Sequence, residues 1–118
     1  MPITIEEFKR KYDKELKDLG FIYEREEETE TEPNYFHLIY EKKKKPGFST
    51  PMEGLFVFNQ SKELDGIVLT IPIKLPYPHP DFYTLNFSTS VDDLIYFLKK
   101  GIRRWRKDMK EEIESGKI

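Results

Sequence analysis

The chain has 118 residues, a formal net charge of −2 and no cysteine, and 36% of its residues are charged. This length fits one domain that can bury a core without covalent staples, so we treat residues 1–118 as a single domain. The lack of cysteine excludes a disulfide framework, a thiolate metal site and a thiol nucleophile, and the nearly balanced charges argue against a protein that is basic over its whole surface.

The first predicted element is an amphipathic helix over residues 5–19. Thr4 is a suitable N-cap with Glu7 three residues later, which is the pattern of a capping box. Gly20 follows the last apolar position and is the residue type that ends many helices. The apolar positions recur at spacings of three and four, as one buried helix face requires, and they are Ile5, Phe8, Tyr12, Leu16 and Leu19.

Five later segments have the composition or alternation of β-strands, and turn residues separate them. They are residues 21–25, 35–40, 55–59, 67–75 and, as a shorter fifth strand, 82–87. Short connections between consecutive strands predict an antiparallel meander of four to five strands. The acidic tract 24–32 and the basic tract 42–45 lie on the two arms of the first hairpin, and we expect them to face each other.

The last predicted element is one long helix. Ser90 with Asp93 forms a second capping box, and the apolar residues of the segment 91–113 fall on one helix face. Whether the helix bends at Gly101 stays open. The predicted fold class is therefore α+β, with an N-terminal helix, an antiparallel four- to five-stranded meander and a long C-terminal helix packed on one face.

This C-terminal helix is longer than a domain of this size usually needs to cover a sheet of short strands. We therefore expect its last turns, with Trp105, Met109 and Ile113, to pack on a second copy of the chain. The sequence thus predicts a homodimer formed through the C-terminal helix.

No catalytic motif stands out in the chain. It contains no G-x-S-x-G, P-loop or G-x-G-x-x-G pattern. Its two histidines, His37 and His79, have no second ligand at a metal-binding spacing. Scattered carboxylates leave acid–base catalysis open as a further hypothesis, but the sequence marks out no single one of them. We therefore predict a non-enzymatic protein with no cofactor and no metal site.

Two regions suit contact with a partner protein. The first is a stiff, proline-rich projection that consists of Tyr77, Pro78, His79 and Pro80. Prolines lower the entropy lost on binding, and tyrosine is a good interface anchor. The second region is the aromatic hairpin with Tyr35 and His37, because both of its faces are apolar. The leading prediction is a small interaction module, acting as an adaptor or as a viral or phage inhibitor of a host protein.

The alternative prediction is a nucleic-acid-binding protein that contacts phosphates through the C-terminal helix. The basic face of this helix consists of Lys99, Lys100, Arg103, Arg104, Arg106, Lys107 and Lys110. A solvated helix face stays open as well, because pairs such as Arg104 and Asp108 stand four residues apart. The acidic tract 24–32 and the basic tract 42–45 are each open to two interpretations, a docking patch or a solvated hairpin edge. A stacking platform for bases is a further alternative, and it would consist of Tyr35, Phe36, Tyr40, Phe56 and Phe58.

Three short segments carry a family resemblance. Residues 66–78 combine a strand with a Tyr-Pro turn, residues 50–54 read Thr-Pro-Met-Glu-Gly, and residues 33–37 read Pro-Asn-Tyr-Phe-His. With the order of the elements, they resemble the ubiquitin-conjugating-enzyme superfamily and the related RWD domains over about residues 4–113. The thioester cysteine of the enzymes and the His-Pro-Asn motif before it are absent, so no catalytic residue carries over. The resemblance implies a non-catalytic relative that serves as a protein-binding scaffold.

The first residues lack the basic and apolar regions of a secretory signal. A membrane span needs about 18 consecutive apolar residues, and no apolar run in the chain approaches that length. We therefore expect a cytoplasmic protein.

Overall fold

The computed structural model describes residues 3–48, 50–73 and 82–116. The elements in chain order are α1 (Ile5–Asp18), β1 (Phe21–Glu28), β2 (Phe36–Lys42), β3 (Glu53–Phe58), β4 (Leu64–Pro72), β5 (Phe82–Asn86), α2 (Val91–Lys100) and α3 (Ile102–Glu114). The strands form one sheet in the order β1-β2-β3-β4-β5, and each neighbouring pair is antiparallel. The predicted α+β meander is therefore confirmed, with five strands.

The N-terminal helix forms as its sequence predicts. The Thr4 side chain accepts a hydrogen bond from the backbone N–H of Glu7 at 3.3 Å, and Gly20 beyond the helix has a φ of +93°. The apolar stripe of α1 faces the sheet. Phe8 is fully buried there, and its ring centroid lies 4.5 Å from that of Phe56 and 5.8 Å from that of Phe58.

The sheet has two chemically different faces. One face packs on α1 and α2 and contributes most of the core, namely Leu38, Tyr40, Phe56, Phe58, Ile67, Leu69 and Ile71. The strand register brings Ile39, Leu55 and Val68 side by side on the opposite face, with Val57 beside His37. We call this second surface the open face. Its central Ile39 is buried, whereas Leu55, Val57 and Val68 stay partly exposed and lie outside the core cluster.

The register of the first hairpin overturns one expectation. Glu28 pairs with Phe36, whereas Lys42 at the other end of the ladder pairs with Phe21. The acidic tract therefore lies near the turn, and the basic tract 43–45 extends beyond the last strand pair. Distance from the turn decides which residues meet across a hairpin, and the two tracts lie at different distances. They do not face each other, so the acidic and basic charges lie towards opposite ends of β1 and β2.

The predicted C-terminal helix is divided in two at Gly101. Ser90 caps α2 by accepting a hydrogen bond from the Asp93 N–H at 3.2 Å, as expected. A Cβ atom at position 101 would lie 2.9 Å from Cδ2 of Phe97, closer than real contacts allow. Glycine lets the Phe97 ring pack there against Phe87, at a centroid distance of 5.5 Å. The interruption therefore coincides with a close approach that other residue types would block.

Candidate functional site

A cleft lies where the two most basic segments of the chain meet. It has a volume of about 530 Å³, and its walls come from the end of β2, residues 43–48 and 50–52, the end of β4 and the junction of α2 with α3. Its cationic lining residues are Lys42, Lys43, Lys45, Lys99, Lys100, Arg103 and Arg106. We call this surface the basic cleft. It joins two segments more than fifty positions apart in the sequence.

Local structure holds the lysine tract at the cleft. The backbone N–H of Lys42 donates to the carbonyl of Met52 at 2.9 Å, which ties the start of the tract to the end of the loop. A turn follows in which the Phe48 N–H donates to the Lys45 carbonyl at 3.3 Å, with Gly47 at a φ of +88°. The Lys44 Nζ also donates to the carbonyl of Phe48 at 3.1 Å. The tract is therefore a folded part of the cleft wall.

Arg106 contributes a packing contact and an unpaired polar atom to the cleft lining. Its guanidinium carbon is 5.9 Å from the centroid of the Phe48 ring, so the side chain packs on an aromatic face. Its Nε atom is buried without a hydrogen-bond partner, and so is the hydroxyl oxygen of Thr50 on the same lining. Buried polar atoms are nearly always satisfied, so these two unpaired atoms stand out on the described lining. Both are covered by the protein itself, so a ligand reaches them only if a neighbouring side chain moves.

The described lining of the basic cleft contains no carboxylate. The ion pairs within the described parts of the chain lie elsewhere, namely Arg25–Glu27, Arg104–Asp108 and Lys110–Glu114. Burial lowers the pKa of Lys42, and the charges of Lys45 and Arg106 lower it further. Burial also lowers the pKa of Arg106. The cleft therefore holds positive charges that are partly desolvated and that repel one another, and a bound anion would relieve both costs.

Six described lining residues of the cleft are apolar, and they come from the β2–β3 connection, β4, α2 and α3. They are Phe48, Pro51, Met52, Pro72, Leu98 and Ile102. Thr50 is the one hydroxyl-bearing residue among the described lining residues. Hydrogen-bond donors, positive charge and apolar side chains together suit a ligand that has both an anionic and an uncharged part.

The structure sorts the predicted basic residues into two groups. Four of the seven line the cleft, namely Lys99, Lys100, Arg103 and Arg106, whereas Arg104, Lys107 and Lys110 lie outside it. Two of the outer residues approach carboxylates at 4.0 Å, as the interpretation of a solvated face implied. Sequence reasoning missed the contribution of the lysine tract and of Thr50. The four consecutive lysines were visible in the sequence as a dense positive charge at the end of a strand. The sequence did not show that this charge lies beside the basic residues of α2 and α3.

The aromatic hairpin does not present a stacking platform. Tyr40, Phe56 and Phe58 are fully buried under the helices, so the platform interpretation is wrong for them. Tyr35 is half-buried, and its backbone N–H donates to the Thr29 hydroxyl at 2.8 Å.

Of the remaining predicted partner-binding residues, the structure describes only His37. His37 is half-buried, and it lies on β2 opposite Glu27 and Val57. Tyr77, Pro78, His79 and Pro80 lie outside the described residues. The projection that they were expected to form stays a prediction.

The C-terminal apolar residues find partners within the chain. Ile113 is 4% exposed, and the Trp105 ring lies 6.4 Å from both Tyr83 and Phe97. The homodimer stays a prediction, but burying Ile113 does not require a second copy.

Neither a metal centre nor a membrane span is present in the described parts of the chain. No group of three or more His, Asp or Glu side chains there is arranged to hold a metal ion. None of the described helices combines the length and the apolar character needed to cross a membrane.

The comparisons with known proteins add no family assignment. The likeness to the ubiquitin-conjugating-enzyme superfamily and to RWD domains stays a prediction from short segments, one of which extends into the undescribed residues 74–81. A scan against protein-family models, a search of curated proteins and a search of solved structures each find no match to this chain.

Proposed function

We propose that this protein binds the phosphate backbone of nucleic acid, with the basic cleft as the binding surface. The observation that carries the proposal is the convergence of two basic segments, 42–45 and 99–106, on one cavity whose described lining contains no carboxylate. Contacts to phosphates supply most of the affinity of sequence-independent nucleic-acid binders. A net charge of −2 does not oppose this, because the acidic tract lies near the hairpin turn, away from the lysine tract.

The shape of the basic surface favours a polymer over an isolated small anion. The cationic residues run from Lys99 in α2 to Lys107 in α3, whereas the last turns of α3 carry the carboxylates Glu111, Glu112 and Glu114. At about 1.5 Å per residue, the basic stretch is about 12 Å long. Successive phosphates of a strand are about 3.4 Å apart along a duplex axis, so a surface of this length suits several of them.

Titration with a labelled single-stranded oligonucleotide tests the proposal. We expect fluorescence anisotropy to show binding that weakens as the salt concentration rises from about 50 to about 200 mM. Arg103 and Arg104 provide matched variants, since both are exposed and adjacent but only Arg103 lines the cleft. Arg103→Gln should weaken binding and lower the slope of log K against log salt by about 0.7, the value for one phosphate contact to a single strand.

Arg104→Gln serves as the control and should change the slope much less. Equal effects of the two substitutions would place binding along the whole helix face, outside the cleft. Absence of measurable binding at the lowest salt concentration would refute the proposal.

The open face of the sheet favours a second candidate function, a non-enzymatic protein-interaction module. Leu55, Val57 and Val68 form a partly exposed apolar stripe on this face, and His37 lies at its border. Apolar stripes of this kind mark protein-binding surfaces. An adaptor or an inhibitor of a host protein would use this surface, as the resemblance to RWD domains also implies. For both candidate functions, the proposed location is the cytoplasm, and the lack of cysteine fits a reducing compartment.

A pull-down from nuclease-treated lysate of the source cells tests this second candidate. The wild type and Val68→Arg would be compared, because the substitution places a charge in the stripe directly beside Leu55. A partner retained by the wild type and lost by the variant supports the candidate. Equal recovery by both proteins, or recovery only without nuclease, contradicts it.

A further inference from the structure

We infer that the basic cleft receives a terminal phosphate monoester of single-stranded nucleic acid in preference to an internal phosphodiester. This inference rests on the proposed nucleic-acid binding and names the part of the strand that enters the cleft. The ligand is defined by its chemistry, a phosphate group with three terminal oxygens attached to a sugar at the end of a chain.

The size of the cleft agrees with one nucleotide. Pockets for small ligands have volumes of about 300–1,000 Å³, and the cleft, at about 530 Å³, lies within that range. The cationic residues would surround the phosphate, and the apolar lining residues Phe48, Met52 and Ile102 would contact the sugar or the base. The cleft thus has the mixed lining that a terminal nucleotide needs.

The charge in the cleft favours a monoester over a diester. A phosphate monoester carries about −1.5 to −2 charges at neutral pH and has three strong acceptor oxygens. An internal phosphodiester carries a single negative charge. Seven cationic residues line the cleft without a described carboxylate, so the more highly charged group offsets more of their repulsion.

The two unpaired buried atoms provide an assigned contact. An arginine side chain binds phosphate with parallel N–H donors, and the Arg106 Nε has no acceptor among the described residues. The Thr50 hydroxyl is also unpaired and can donate to a further oxygen. A terminal phosphate offers three free oxygens to these two groups and to the surrounding lysines, whereas an internal phosphate offers two.

Competition between oligonucleotides of one sequence tests the inference. The three competitors carry a 5′-phosphate, a 3′-phosphate or hydroxyl groups at both ends, and each displaces an internally labelled strand. We expect one phosphorylated competitor to bind about tenfold more tightly than the hydroxyl-ended strand, as charge-assisted bonds to a dianion imply. Thr50→Val and Arg106→Lys should each reduce this preference, because they remove the hydroxyl and the two-donor geometry.

Lys107→Met is the matched control, since Lys107 lies on the same helix but outside the cleft. It should weaken all three competitors by the same factor and leave the end preference unchanged. Equal competition by all three strands, with binding intact, overturns the inference and leaves the proposed function standing. A preference that survives both Thr50→Val and Arg106→Lys overturns the assignment to this cleft. Absence of binding by every strand refutes both proposals.

Thermal melting with a nucleoside monophosphate provides a second readout that does not depend on binding of the polymer. The monophosphate should raise the melting temperature of the wild type, whereas the parent nucleoside should not. Thr50→Val should melt cooperatively and show a smaller shift. An equal shift with the nucleoside and the monophosphate would contradict the inference.

Discussion

The hydrogen bond between Tyr40 and Asp13 joins strand β2 to helix α1. Tyr40 is fully buried, and its hydroxyl donates to Oδ1 of Asp13 at 2.9 Å. Burial raises the pKa of Tyr40, and the hydrogen bond to Asp13 raises it further. The hydroxyl is therefore a protonated donor at neutral pH.

Tyr40→Phe removes this donor and keeps the ring that packs on Phe8 and Phe56. Asp13 is only half-buried, so its carboxylate regains water in the variant. The expected loss in the free energy of unfolding is the net value of a hydrogen bond to a charged group, about 1.5–3 kcal/mol. For a chain of 118 residues, this corresponds to a decrease in the melting temperature of about 5–15 °C.

Urea unfolding followed by circular dichroism measures this difference. Tyr12→Phe is the matched control, because the Tyr12 hydroxyl donates to Asp92 at a longer distance of 3.3 Å and should cost less than about 1 kcal/mol. A double-mutant cycle with Asp13→Asn isolates the pair. If Tyr40→Phe is as stable as Tyr12→Phe, the proposed link between α1 and the sheet contributes little.

Two further predictions concern the core and the open face. Phe8→Ala should lower the free energy of unfolding by about 3–5 kcal/mol, since Phe8 is fully buried among aromatic rings, and a loss below about 1 kcal/mol in denaturant unfolding would contradict this packing. Burial raises the pKa of Glu53, and its hydrogen bond with Glu41 raises it further. Glu53 therefore binds a proton more tightly in the folded chain than in the unfolded chain. The free energy of unfolding should rise as the pH falls through the raised pKa towards the ordinary value of 4.5. Unfolding curves at several pH values should show this rise in the wild type but not in Glu53→Gln.

Local patterns in the sequence predicted most of the secondary structure. Thr4 and Ser90 act as N-caps because a short polar side chain meets free backbone N–H groups, which depends only on nearby residues. The spacing of apolar residues in α1 likewise reports one buried face. Alternation along β2 likewise puts Leu38 and Tyr40 on one face, and the structure shows that this is the core face. These features are decided over distances of a few residues.

The sequence was less informative about features that depend on two distant segments. The expectation that the acidic and basic tracts would pair ignored the register, which is set by the distance of each residue from the turn. The helix interruption at Gly101 coincides with a close approach of the Phe97 ring, which packs against Phe87 after β5. Glycine at this position was visible in the sequence, but the close approach that uses it was not.

The sequence by itself determined the fold class, the two N-caps, the charge of the C-terminal helix and the presence of a second basic tract. Tertiary structure alone decided that Lys42, Lys43 and Lys45 share a cleft with Arg103 and Arg106. The physical reason is that charge and periodicity are properties of a segment, whereas a binding cavity requires segments from different elements to meet. That meeting depends on how the β2–β3 connection and the α2–α3 junction pack at one end of the sheet.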